Sequence, residues 1–113
     1  IRLYEEGLAL RRQQGDKRNE AAALTNIGAV YRALGDTQKA LACYEQALLL
    51  CRVVEDWRGE ATTLNNIGMA YRALLDNQKA LAYYEQALLL RHAVGDRGGE
   101  ATTLNNIGEV YRA

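Results

Sequence analysis

Hydrophobic side chains recur along this chain at three- and four-residue spacings, the period of helices that each bury one stripe. Over 1–14 these spacings connect Leu3, Tyr4, Gly7, Leu8 and Arg11; over 17–34 they connect Leu24, Ile27, Gly28, Tyr31 and Leu34; over 37–54 the stripe is Ala40, Leu41, Tyr44, Ala47, Leu48 and Cys51. A shift of 40 residues then repeats the pattern: Leu24, Asn26, Ile27, Gly28, Tyr31 and Arg32 return as Leu64, Asn66, Ile67, Gly68, Tyr71 and Arg72, and again as Leu104, Asn106, Ile107, Gly108, Tyr111 and Arg112. Sequence self-similarity at such a period marks an array of supersecondary units.

The polar punctuation agrees with that reading. Gly15-Asp16, Gly35-Asp36 and Gly95-Asp96 separate the stripes, with Glu55-Asp56 and Leu75-Asp76 at the equivalent places. Glycine suits a left-handed helix end, and the aspartate after it can accept from the free N–H groups of the next helix. Glu55 and Leu75 lack the glycine's freedom, so their turns are expected to be less regular, or Leu75 to find a hydrophobic contact. The pattern predicts an all-α solenoid of antiparallel helix hairpins, six helices in the order B-A-B-A-B-A, A being the asparagine-bearing helix. Its units are a half repeat at 1–14, repeats at 17–54 and 57–94, and a half repeat at 97–113. Gly28 is expected to permit close packing, and Tyr44, bracketed by Ala40 and Ala47, to fill space left by small residues.

Composition narrows the function. The 14 basic and 14 acidic residues cancel, which argues against nucleic acid as a partner, since phosphate binding relies on a positive excess. The longest apolar run, 47–51, is far shorter than the ~20 residues of a membrane helix, so a soluble, membrane-free protein is expected. Cys43 and Cys51 share one predicted helix about 12 Å apart along its axis, beyond disulfide reach. With no disulfide between them, a reducing, cytoplasmic setting is expected. His92 is the one histidine, leaving no metal set or catalytic triad; no enzyme activity and no cofactor are expected. The first residue is isoleucine, which suggests a segment of something longer.

The residues Leu24, Ile27, Gly28, Tyr31, Ala40, Tyr44 and Ala47, with Leu64, Ile67, Gly68, Tyr71, Ala80, Tyr84 and Ala87 in the next unit, resemble the tetratricopeptide repeat. The usual unit has ~34 residues; this one has 40 and carries Arg52 and His92 where the family commonly has proline, departures that suit a longer B helix and an extended linker at 55–59. The resemblance implies a right-handed superhelix whose A helices line a concave groove for an extended peptide. Carried onto this chain, the groove residues are Thr25, Asn26, Ala29 and Arg32, then Asn65, Asn66, Met69 and Arg72, then Asn105, Asn106, Glu109 and Arg112. An asparagine offers both a donor and an acceptor to a peptide backbone; the alternative is that these side chains hydrogen-bond along the array. The arginine row suits an acidic ligand unless carboxylates such as Glu45 or Glu85 neutralise it. Of the carboxylate clamp by which some family members hold a peptide C-terminus, only Asn66 is matched, so no such recognition is expected. Trp57 is either a contact point or a lid over its own helix ends, and His92 is expected in solvent.

Both predicted terminal hairpins are halved. Leu104, Ile107 and Tyr111 at one end and Leu3, Tyr4 and Leu8 at the other are left for self-association, in which a terminal A helix pairs with the first B helix of another copy. The expected function is thus a protein-interaction scaffold, with self-assembly into an oligomer or fibre as the alternative.

Overall fold

The computed structural model describes residues 16–112, which form five helices: α1 (Lys17–Ala33), α2 (Thr37–Val53), α3 (Trp57–Ala73), α4 (Asn77–Ala93) and α5 (Arg97–Arg112). They are the A-B-A-B-A part of the predicted order; the B helix expected over 1–14 lies outside the described residues. The four connections are all three residues long. The predicted long linker at 55–59 is therefore corrected: Trp57 already opens α3, and the extra length of the unit has gone into helices of 17 residues.

Every helix starts in the same way. The carboxylates of Asp16, Asp36, Asp56, Asp76 and Asp96 accept from the amide N–H three residues on, at 2.9–3.2 Å. Each such cap is worth ~1 kcal/mol. The helix ends are equally uniform, and here the expectation fails. Glu55 (φ 56°) and Leu75 (φ 63°) take the same left-handed conformation as Gly35 (φ 83°) and Gly95 (φ 74°). The paired bonds recur too: Leu75 N–H donates to Arg72 O and Asp76 N–H to Tyr71 O, both at 2.9 Å, as Gly35 and Asp36 do to Arg32 and Tyr31. Leu75 finds no hydrophobic cover, being 87% exposed. Satisfying the last carbonyls outweighs the steric cost of a side chain at this position.

Antiparallel hairpins α1–α2 and α3–α4 pack together through α2–α3, and α4–α5 continues the stack. Across repeats the backbones of α1 and α3, and of α3 and α5, approach each other more closely than those of α2 and α4. A stack closer on its A side than on its B side curves with the A helices inside. The repeating core contact is a tyrosine laid on a glycine. A Cβ on Gly28 would lie 2.6 Å from the Tyr44 ring, and one on Gly68 2.6 Å from the Tyr84 ring and 3.2 Å from the Ala80 carbonyl oxygen. The glycines thus serve mainly to admit a flat ring, and at Gly68 the backbone as well. Leu64 and Ile67 beside them are fully buried, contributing ~1.5–3 kcal/mol each. Leu34, assigned to the buried stripe, is instead 70% exposed: it is the C-cap of α1, one residue past the last helical position.

Candidate functional site

The inner face of the A helices is built from the second, more polar stripe. Ala22, Asn26, Arg32 and Ala33 of α1 are exposed, and Thr25 and Ala29 half-buried; Asn66, Met69 and Arg72 of α3 are half-buried. Asn105 and Arg112 of α5 are exposed, while Asn106 and Glu109 are half-buried. Two depressions open onto this face. One of about 390 Å³ lies between the first halves of α1 and α3, with Thr25, Asn26 and Thr62 in its wall. The other, about 470 Å³, lies at their far ends and is lined by Arg32, Met69, Arg72, Leu75, Tyr84 and Asn106.

The asparagines divide into two groups. Asn26 and Asn66, 40 residues apart, make no side-chain hydrogen bond among the described residues, so their amides stay available on the inner face. Asn65 is different: it is buried, and its carbonyl accepts from Asn106 Nδ2 at 3.1 Å and Thr103 Oγ1 at 3.3 Å. Its own amide points to Met69 Sδ at 3.7 Å. Asn65 therefore ties α3 to α5, which is the alternative reading of the asparagine row realised at one position. The bridge continues outward, for Arg91 of α4 donates from Nη1 to Thr103 Oγ1 at 2.7 Å and to Gly99 O at 2.8 Å.

Sequence reasoning missed Arg91 and Thr103. The available signal was that Arg91 falls at the position occupied by buried Cys51 one repeat earlier. At the Cys51 junction the Thr63 hydroxyl donates instead to Gly59 O at 2.9 Å. Burial pushes the Cys51 thiol up, with Asp56 adding to the effect and a hydrogen bond to Thr63 opposing it, so the sulfur is held protonated and inert.

Charge on the inner face is unevenly compensated. Glu109 accepts from Arg112 at 3.2 Å and pairs with Arg72 across helices at 3.7 Å; Arg32 has no ion pair among the described residues. The expected partners Glu45 and Glu85 are exposed residues of the B helices and take no part. Burial raises the Tyr84 hydroxyl pKa while the charges of Arg72 and Arg32 oppose the rise, so both guanidinium groups act on the same phenol. His92 is exposed but not idle, since its Nδ1 meets Glu100 Oε2 at 3.2 Å, the counterpart of Arg52 Nε on Glu60 Oε2 at 3.1 Å. Trp57 stands at the first position of α3, partly exposed.

At the end of the stack the apolar stripe of α5 is open. Leu104 is 53% exposed where Leu64 is 1%, Tyr111 is exposed, Ile107 is half-buried, and Gly108 has no neighbour within 4 Å of a Cβ position. Leu3, Tyr4 and Leu8, the other half of the predicted self-association surface, lie outside the described residues.

Among the described residues, no helix is long and apolar enough to cross a membrane, and no cluster of three or more histidine, cysteine or carboxylate side chains gathers to hold a metal ion. A search of curated proteins returned no match. Solved structures do match, 34 chains in all. One is the crystal structure of BtubC (BKLC) from P. vanneervenii, with a TM-score of 0.85 and 23% identity over 96% of this chain. This chain spans 46% of that one, and the likeness is one of fold. The family described as Tetratricopeptide repeat matches residues 1–52 and 59–113. With helical hairpins at a 40-residue period, glycine–tyrosine packing in successive units and a sequence match along both segments, the chain belongs to the tetratricopeptide repeat family.

Proposed function

We propose that this array is a non-enzymatic interaction module that holds an extended peptide along the inner face of its A helices. Repeats of this family generally mediate protein–protein interaction, and the observation that carries the finer reading is the pair Asn26 and Asn66. Their side-chain amides recur one repeat apart, face the open side and have no partner among the described residues. An amide can bind both C=O and N–H of a strand-like peptide, with ~1 kcal/mol from each bond. Thr25, Ala29, Arg32, Met69, Arg72, Asn105, Glu109 and Arg112 line the same path, and Asn65 with Asn106 holds α5 in register for it. The test is selection of a random displayed-peptide library on the full chain, followed by the same selection on Asn26→Ala/Asn66→Ala. Loss of the selected peptides with unchanged helicity supports the groove; undiminished binding refutes it.

A second reading rests on the open stripe of α5. Its counterpart on α3 is covered by α4, whose Tyr84 lies on Gly68. In a second copy the segment 1–14 carries the equivalent Tyr4, and we propose that it covers Leu104, Ile107 and Tyr111 in trans. Such a contact is heterologous and builds rings or fibres. Light scattering across dilution decides it: a strict monomer at ~100 µM excludes an association that at micromolar Kd is worth ~8 kcal/mol.

A further inference from the structure

We infer that the cavity between Arg32 and Arg72 is an acid-binding subsite of the groove, which takes an aspartate or glutamate side chain of the bound peptide. The inference rests on the peptide-groove reading and names the ligand chemistry it would select. Three observations carry it. First, both arginines line a single cavity of about 470 Å³ with Tyr84 and Asn106 as further polar walls. Second, ion pairs do not use up the arginine row: among the described residues Arg72 and Arg112 both pair with Glu109, and Arg32 pairs with no carboxylate. Third, the same lining includes apolar Met69 and Leu75, the latter 87% exposed at a left-handed backbone position.

A planar guanidinium binds a carboxylate through two parallel N–H donors, a geometry and strength that a neutral amide ligand does not reproduce. Two such groups at one cavity form a charged floor, while Leu75 and Met69 offer cover to an apolar residue next to the acid. The favoured peptide is therefore acidic with an adjacent hydrophobic side chain.

Glu109 distinguishes this proposal from a merely structural role for the arginines. It competes with the ligand for Arg72, so its removal should strengthen binding where removal of a structural ion pair would not. The experiment is selection of displayed random peptides on the full chain, then fluorescence anisotropy of the strongest selected peptide. Selected sequences should be enriched in Asp and Glu. Arg32→Gln and Arg72→Gln should each weaken the peptide about tenfold to a hundredfold, and Glu109→Gln should tighten it several-fold. Arg97→Gln, which makes the same change in net charge away from this cavity, should leave affinity within about twofold beyond the salt-sensitive long-range part. Peptides that bind without acidic enrichment and ignore both arginine substitutions overturn the subsite while leaving the groove intact. Selected peptides unaffected by Asn26→Ala/Asn66→Ala and by both arginine substitutions overturn both, as does a selection that yields no peptide.

Discussion

Two glycines at the same place in successive repeats should respond to alanine with opposite signs. At Gly68 the new Cβ would sit 2.6 Å from two Tyr84 ring atoms and 3.2 Å from the Ala80 carbonyl oxygen, well inside the ~3.5–4.0 Å of a favourable contact. Tyr84 is 1% exposed and in contact with the core, so its ring cannot swing away, and the backbone oxygen yields even less. Overpacking of this kind costs ~1–3 kcal/mol, against ~1 kcal/mol recovered because alanine is the better helix former. The net expectation for Gly68→Ala is a loss of about 1 kcal/mol, with ~2 as the upper end of the overpacking range. At Gly108 a Cβ meets nothing within 4 Å, so the propensity gain of up to ~1 kcal/mol stands alone. Urea and thermal unfolding followed by circular dichroism measure both, with ~4–8 °C in Tm per kcal/mol for a domain near this size. The reasoning is refuted if Gly68→Ala proves as stable as Gly108→Ala. A second background isolates the cause: in Tyr84→Leu the ring is gone, and Gly68→Ala should lose most of its penalty. Should copies pair end to end, Gly108 would face a tyrosine, and Gly108→Ala would weaken association while stabilising the monomer.

Other consequences are more local. Leu75→Gly should stabilise the array by ~0.5–1 kcal/mol, the left-handed strain of ~1–2 kcal/mol relieved less the entropy of a freer unfolded chain, as a rise in the urea midpoint would show. Asn65→Ala leaves Thr103 and Asn106 without their buried acceptor and should cost ~1–3 kcal/mol, with hydrogen exchange in α5 accelerating first. The Cys51 thiol is held above its ordinary value of 9.0. The unfolded chain therefore ionises first as pH rises, so this contribution to stability is complete below about pH 9 and is lost progressively above it; Cys51→Ala should flatten that alkaline decline in urea titrations. In the folded protein a thiol reagent should label half-buried Cys43 before buried Cys51.

How much of this was legible in the sequence depends on the range over which each feature is decided. Helix positions, the aspartate caps and the 40-residue period follow from local chemistry, because a carboxylate reaches its cap amide within one turn and a stripe is a property of one helix. The polar stripe of each A helix could be named in advance for the same reason. The details that depend on a neighbour could not. Asn65 and Asn66 are adjacent and alike in sequence, yet one is buried against Thr103 and Asn106 while the other stays available. Leu64 and Leu104 are repeat equivalents, yet one is in the core and one is open, because α4 covers only the first. Glu109, rather than Glu45 or Glu85 of the B helices, came to share the arginines because the stacking brings α3 and α5 together on the inner side. The sequence by itself determined which helices form, where they begin and which face of each is apolar. Only the tertiary structure decided which polar groups are used up and which keep free hydrogen-bonding capacity, since desolvation and partnering are set by whatever element packs above a residue and not by the residue itself.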